Sequence, residues 1–295
     1  MKRLFIFFFL LISICFLNAQ PCPEGYSAFQ KSEYEKALKL FSDCLKKLPK
    51  DSAVNFMMGN SHLRLKNYRK AVPYFEKAIE LKYQPIPNTH YLLARAYAGT
   101  NNDAQSISNL QLAAELGFSG YQRLDSVEFN AFRTTAGFKK AKQAMYENAF
   151  PCLKDPNNNK FDFWLGEWDV FVNGQKRADS KITKAMGGCA IHEDYVLLSG
   201  VYAGQSISYY DPTEKRWEQY WVGSAGDKSK YYETEKYDAD MQFLWISKNP
   251  DGTETWTKMS YRAEDQNTVI QTLESSIDQG KTWVPSFSGT YKRKQ

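Results

Sequence analysis

Slid along itself by 34 residues, the first half of this chain falls into register with itself. That recurrence limits the half to a stacked helical array. Gly25 meets Gly59, Ala37 meets Ala71, Phe41 meets Phe75 and Cys44 meets Ala78, with Leu38/Val72 and Leu45/Ile79 in the same frame. A further unit, displaced by one residue, puts Ala94, Tyr97, Ser106, Leu110 and Ala113 in equivalent places. Small residues at fixed positions let paired helices approach closely, while an aromatic or a leucine fills the space between repeats. A terminal helix over Lys139–Ala149 is expected to close the array, after the turn-rich stretch Gly117–Gly120.

Over about residues 21–118, the period and its small and aromatic positions resemble the tetratricopeptide repeat. The first unit lacks the leading aromatic, and the third has Ser106 where alanine is customary, as atypical units at the ends of an array often do. The resemblance implies a concave face lined by the first helix of each pair. Carried over by register, that face holds Tyr26, Phe29, Phe56, Asn60, Leu63, Tyr91 and Arg95. Two readings stay open. The face is a groove for a protein or peptide partner, with aromatic anchors and Asn60 and Arg95 as polar contacts. Alternatively, it is a short scaffold whose aromatics pack on the rest of the chain. The version of the repeat that clamps a C-terminal carboxylate uses lysines, and Phe56 stands at one of those places.

From Phe161 the texture changes to apolar–polar alternation in short runs broken by turn formers. Ten strands are expected, near residues 161–172, 177–186, 189–198, 203–211, 215–222, 228–237, 240–248, 253–262, 267–276 and 282–293. Asn173-Gly174, Asp211-Pro212, Ala225-Gly226-Asp227, Asn249-Pro250-Asp251-Gly252 and Asp278-Gln279-Gly280 connect them tightly, so consecutive strands form hairpins. Such a meander hides its edges best by closing, which makes the chain a two-domain α + β protein: an α-solenoid followed by an antiparallel up-and-down β-barrel. A β-sandwich is the alternative.

Several segments of this half resemble a family of lipocalin-like barrels of unassigned function. They are Phe161-Asp162-Phe163-Trp164-Leu165-Gly166-Glu167-Trp168, Gly187-Gly188-Cys189 with His192-Glu193, Tyr210-Asp211 with Trp217–Trp221, and Gly280–Trp283 followed by Phe287, Gly289 and Tyr291. The resemblance implies a fold and an internal space, and no chemistry. A barrel of this size either holds a small ligand or fills with side chains. The ligand reading puts Trp164, Trp168, Tyr209, Trp221 and Trp245 along an apolar interior, with Glu167, His192, Arg262, Gln271 and Glu274 as convergent polar groups. The other reading is a packed aromatic core with those polar residues at the ends or outside.

Other signals carry less. Ser276, Asp278, Gly280, Thr282 and Trp283 fit the Asp-box pattern of sialidase-type propellers, which occurs here once and reads as a braced hairpin. His192 and Glu193 are adjacent and so point to opposite faces of a strand. The other histidines, His62 and His90, lie in the helical half, so no metal site is expected. Haem-binding barrels of related shape use a late axial histidine, and none follows His192. Residues 200–206 contain no nucleophile elbow.

The chain begins with Lys2 and Arg3, an apolar run from Leu4 to Leu17, and Asn18-Ala19-Gln20. This pattern predicts an export signal over residues 1–20, because about 14 apolar residues fall short of the roughly 20 that span a bilayer. Cys15 follows Ile14 and Cys22 follows Pro21, which disfavours lipidation. Removing Lys2 and Arg3 leaves 36 basic against 33 acidic residues, without a basic stripe, which argues against nucleic acid. The remaining cysteines, Cys22, Cys44, Cys152 and Cys189, allow three pairings. A hairpin of helices over 24–31 and 34–47 would bring Cys22 beside Cys44, the favoured pair.

The expected division is a helical repeat domain over 21–150, a linker over 151–160 and a barrel over 161–295. The expected function is non-enzymatic, without cofactor: an exported protein whose helical groove docks a protein or peptide, with the barrel as recognition module. The alternatives are a carrier of a small apolar or glycan ligand inside the barrel, and a weak hydrolase using Glu167 or Glu274.

Overall fold

Three helical hairpins open the described chain: α1 (Pro23–Gln30) with α2 (Tyr34–Lys47), α3 (Ser52–Arg64) with α4 (Tyr68–Glu80), and α5 (Ile86–Ala98) with α6 (Asp103–Glu115). They are seen in a computed structural model that describes residues 21–235 and 239–295. The export signal expected at residues 1–20 lies outside these. The 34-residue register has a direct steric cause. A Cβ at Gly25 would stand 2.7 Å from the Phe41 ring, and one at Gly59 would stand 2.8 Å from the Phe75 ring. Glycine on the first helix of each pair is therefore what lets the aromatic of the second helix lie flat against it. Ala37, Phe41, Ala71, Phe75 and Ala78 are fully buried. In the third unit Ser106 replaces alanine without leaving a buried hydroxyl unsatisfied, because it donates to the Ala94 carbonyl at 2.9 Å.

The second helices, α2 and α4, bury a narrow stripe, whereas α3 and α5 are buried over most of their surface. Asp51 caps α3 by accepting from the Val54 N–H at 2.8 Å. After α6, two short 3₁₀ stretches, Tyr121–Asp125 and Val127–Phe132, lead into α7 (Ala136–Ala149), which starts three residues before the expected position. Phe129, Phe132 and Phe138 pack on one another there with centroids 5.8–5.9 Å apart.

The chain divides into two compact units between Asn148 and Ala149. The second unit is a closed barrel of ten antiparallel strands: β1 (Gly166–Val172), β2 (Gln175–Ala185), β3 (Ala190–Leu197), β4 (Ala203–Asp211), β5 (Arg216–Gly223), β6 (Lys228–Glu233), β7 (Met241–Lys248), β8 (Glu254–Asp265), β9 (Thr268–Ser276) and β10 (Val284–Arg293). Each strand pairs with its sequence neighbours, and β1 with β10 completes the ring. The sheet closes on itself, so the sandwich alternative does not form.

One expected strand is shorter than its pattern suggested. Residues 161–165 form no strand, and Asp162–Trp164 is a 3₁₀ turn. The turn puts Phe161 and Trp164 into the barrel's interior cluster, stacked at 5.0 Å, with Phe161 also touching Trp217, Phe243 and Tyr261. The preceding residues are fastened to this unit. Asn158 donates to the Gly188 carbonyl at 3.0 Å, and the Trp217 indole donates to the Asn157 carbonyl at 3.1 Å. Cys152 is bonded to Cys189, and Cys22 to Cys44.

Candidate functional site

On the helical unit, the residues expected to line a concave face divide into two groups. Tyr26, Phe29 and Asn60 are half-buried at the surface. Phe56, Leu63 and Tyr91 are core residues and correct the expectation of exposed anchors. Phe56 stacks on Tyr83 at 4.3 Å and meets Phe75 edge-on. Tyr91 stacks on Phe118 at 4.9 Å, and its hydroxyl donates to the Arg123 carbonyl at 3.0 Å. Arg95 is spent within the unit, in an ion pair with the largely buried Glu128 at 2.6 Å. Tyr91 and Arg95 are covered by the short segment 118–132, which packs on α5 through Phe118, Arg123 and Glu128, whereas Phe56 is covered by Phe75 and Tyr83. A shallow recess remains among Leu63, Arg64, Tyr68, Arg95, Val127 and Glu128.

In the barrel the interior is neither empty nor solid. Trp164 and Trp168 pack behind Tyr261 and Tyr291, with the Trp168 indole donating to the Trp164 carbonyl at 3.0 Å. Beyond them lies a cavity of about 330 Å³. Its wall combines rings, including Tyr195, Trp221, Tyr231 and Phe287, with the apolar Met259 and Leu273. Trp221 reaches the cavity because residue 204 on the neighbouring strand is glycine, where a Cβ would stand 2.1 Å from the indole.

Polar groups in the wall form one hydrogen-bonded series. The Tyr291 hydroxyl donates to Gln271 Oε1 at 2.7 Å, and Gln271 Nε2 donates to the Tyr261 hydroxyl at 2.8 Å. Gln219 Nε2 donates to Ser206 Oγ at 3.3 Å. The Ser206 and Ser180 hydroxyls then donate to the two oxygens of Glu193 at 3.1 and 2.8 Å. Burial pushes the Glu193 carboxyl up to about 7, although both serines oppose the shift. Burial also raises the Tyr261 and Tyr291 phenols well above their ordinary value, so they remain neutral donors. Nearer the rim, Asp227 accepts from the Tyr202 hydroxyl at 2.7 Å and from the Trp221 indole at 3.0 Å, and those bonds hold its carboxyl below the usual range.

Of the residues expected inside, Trp164, Trp168, Trp221 and Gln271 face the interior. Trp245 packs on Tyr231 in the interior cluster, outside the cavity wall. Five others are on the outer face of the barrel, which corrects their assignment. Glu167 pairs with Lys181 at 2.8 Å, Glu274 with Lys258 at 2.7 Å and Arg262 with Glu264 at 2.7 Å. His192 approaches Asp194 at 3.5 Å. Tyr209 donates to Glu218, which also takes bonds from Tyr220 and Arg216 under a cover of side chains. In the sequence Glu193 stands beside His192 and is one of several carboxylates, with Glu167 and Glu274, that could be paired, and nothing there sets it apart as the buried one. The signal that could have found it is the inward set Ile191, Glu193 and Tyr195, against the outward set His192 and Asp194.

The Asp-box residues brace a turn. Gly280 N–H donates to Ser276 Oγ at 2.8 Å, and Thr282 N–H donates to Asp278 Oδ1 at 2.9 Å. Among the described residues, no group of three or more His, Cys, Asp or Glu could hold a metal ion, and no helix is long and apolar enough to cross a membrane.

Comparison with known proteins places one element firmly. Residues 52–84 match the model of the tetratricopeptide repeat. They are α3, α4 and the turn that follows. Solved structures to which part of the chain is similar include one titled MamA RS-1 ArsTM double mutant. It is 21% identical and covers 44% of this chain and 74% of its own, with a TM-score of 0.37. Two structures of the Yersinia enterocolitica type III secretion translocator chaperone SycD are 20% and 18% identical. Each covers 41% of this chain, and 87% and 82% of their own, with TM-scores of 0.31 and 0.30. No curated protein matches the chain.

Proposed function

We propose that this is an exported, non-enzymatic binding protein, in which the tetratricopeptide repeats dock a protein or peptide partner and the barrel is a rigid recognition module. The observation that carries the reading is the repeat at residues 52–84, a module built for protein interaction. The surface left to a partner is smaller than the register implied. It centres on Tyr26, Phe29 and Asn60 of α1 and α3, because α5 is covered by the chain's own 118–132 segment. Export is supported by the signal-like first 20 residues and by two disulfides, which are consistent with an oxidising compartment.

Panning a random peptide library against the full chain, with the signal removed, tests the docking reading. Enriched peptides should lose at least about tenfold in affinity to the Phe29→Ala/Asn60→Ala variant, the cost of losing an aromatic anchor. No enrichment, or equal binding to the variant, would count against it.

A second reading is favoured by the cavity: the barrel, lipocalin-like in its sequence segments, carries a small ligand. At about 330 Å³ with a rim open to entry and polar groups in an otherwise apolar wall, the space suits a compact molecule. Native mass spectra of the exported full chain should then show a discrete extra mass that disappears on denaturation.

A further inference from the structure

The cavity has an uneven chemistry. Among the described residues of its wall there are two carboxyl groups, Glu193 and Asp227, and no lysine or arginine. Most of the remaining surface is aromatic, with Tyr195, Trp221, Tyr231, Tyr261 and Tyr291 turning rings toward the space. Glu193 is buried with two serine hydroxyls as its hydrogen-bond donors and without a countercharge. A buried carboxylate in that position lacks the positive charge that would normally compensate its desolvation.

We infer that the barrel cavity binds a small organic cation, an ammonium group on a one-ring or two-ring body, with the ammonium facing Glu193 and the body among the aromatic rings. The inference rests on the carrier reading of the barrel and names its ligand class.

Three considerations select this class. An ammonium supplies the missing countercharge and donates hydrogen bonds to a carboxylate whose remaining capacity faces the cavity. The electron-rich faces of the surrounding tyrosine and tryptophan rings attract a cation further, most strongly where water is excluded. A carboxylate or phosphate ligand would meet two acidic groups with no cation to receive it, a like-charge contact that rejects it. The volume lies at the small end of ligand sites, which disfavours long acyl chains. Asp227 at the rim, held ionised by Tyr202 and Trp221, adds a negative field at the entrance.

Proton linkage follows. The groups that face Glu193 are Tyr195 on its own strand and, from the surrounding strands, the neutral phenols Tyr261 and Tyr291, together with Ser180, Ser206 and Gln219. Asp194 lies on the opposite side of its own strand. In the empty barrel Glu193 is partly protonated near pH 7. An ammonium beside it favours the ionised form, so binding releases a proton from Glu193 to the buffer.

The test is calorimetry on the full chain, signal removed and ligand stripped by denaturation and refolding, with three molecules of one shape: tyramine, 4-ethylphenol and 3-(4-hydroxyphenyl)propionate. Tyramine should bind at least about tenfold more tightly than either of the others, a margin that one desolvated charge pair readily supplies. Titrations at pH 7 in two buffers of different ionisation enthalpy should show proton release with tyramine alone. Glu193→Gln should remove the proton release and bring tyramine binding down to the level of 4-ethylphenol binding. If Glu193→Gln does not fold, the charge series and the proton count on the unsubstituted chain decide. Equal or tighter binding of the phenol or the carboxylate overturns the inference and leaves the carrier reading standing. No binding by any of the three overturns the inference, and a bare-chain native mass from the exported protein would then overturn the carrier reading as well.

Discussion

The helical unit and the barrel treat aromatic side chains in opposite ways. In the repeats, rings are spent on closing gaps between helices: Phe41 and Phe75 lie against glycines, and Phe56 and Tyr91 stack within the core. In the barrel, some rings pack behind the interior while others border open space, and polar groups are threaded between them. A helix pair brings two convex surfaces together and has no interior of its own, so every large residue at the contact must fill. A ten-stranded ring encloses a volume whose size is set by strand number and tilt, and side chains need not fill all of it.

Truncating a ring should expose that contrast most strongly. Phe75→Ala in the helical unit and Trp168→Ala in the barrel each remove a fully buried ring and should each cost about 3–5 kcal/mol. The two can be read separately. All seven tryptophans lie in the barrel half, so their fluorescence reports barrel unfolding while helical circular dichroism reports the repeats. A truncation of Trp221, which borders the cavity, should cost clearly less than Trp168→Ala. An equal cost would erase the distinction between filled and open interior.

The disulfides come next. Replacing Cys152 and Cys189 by serine should destabilise the barrel by about 3 kcal/mol, and the Cys22–Cys44 pair should matter slightly less to the helical unit. The order follows from loop length, since the sequence separations are 37 and 22. Denaturant midpoints with and without each pair measure it.

The barrel should show a pH dependence from a carboxyl that burial has raised. Glu193 ionises near 7 in the folded protein, against an ordinary value of 4.5. Between those values the folded chain binds the extra proton, so this contribution is fully present below about pH 4.5 and is lost as pH rises through about 7. The fluorescence-detected stability should therefore fall by no more than about 3 kcal/mol across that window. Glu193→Gln should flatten this part of the slope, and an unchanged profile would mean that the group is not desolvated.

Smaller effects belong to the turn and the outer face. Ser276→Ala removes an acceptor for two backbone N–H groups and should cost about 1 kcal/mol. Glu167→Gln and Glu274→Gln, in their lysine pairs on the outer face, should leave the midpoint unchanged within error. The same two variants bear on the hydrolase alternative: both carboxylates sit outside the cavity.

How much could be read in advance differed between the units for a physical reason. The repeat was legible because Gly25, Gly59, Phe41 and Phe75 satisfy one steric rule, copied at a constant spacing. Strand positions were legible because Asn173-Gly174 and its counterparts announce their turns. Facing was not. The register shifts at Val170/Phe171, at Ala263/Asp265 and at Pro285/Phe287, and each shift disturbs the alternation that tells inside from outside. Large aromatics such as Tyr209 and Tyr220 also occupy the outer face, where they cover Glu218, so ring size did not mark the interior. On β3 the choice between His192 and Glu193 turned on a single residue of phase.

From its sequence alone, then, this protein's repeat period, its ten strands and its tight hairpins could be stated, because each arises from side chains within a few residues or at a constant interval. Ring closure by β1 and β10, the covering of α5 by residues 118–132, and the isolation of Glu193 came only with the tertiary structure. Each of these joins residues far apart in the chain, and desolvation and enclosure exist only once such distant surfaces have met.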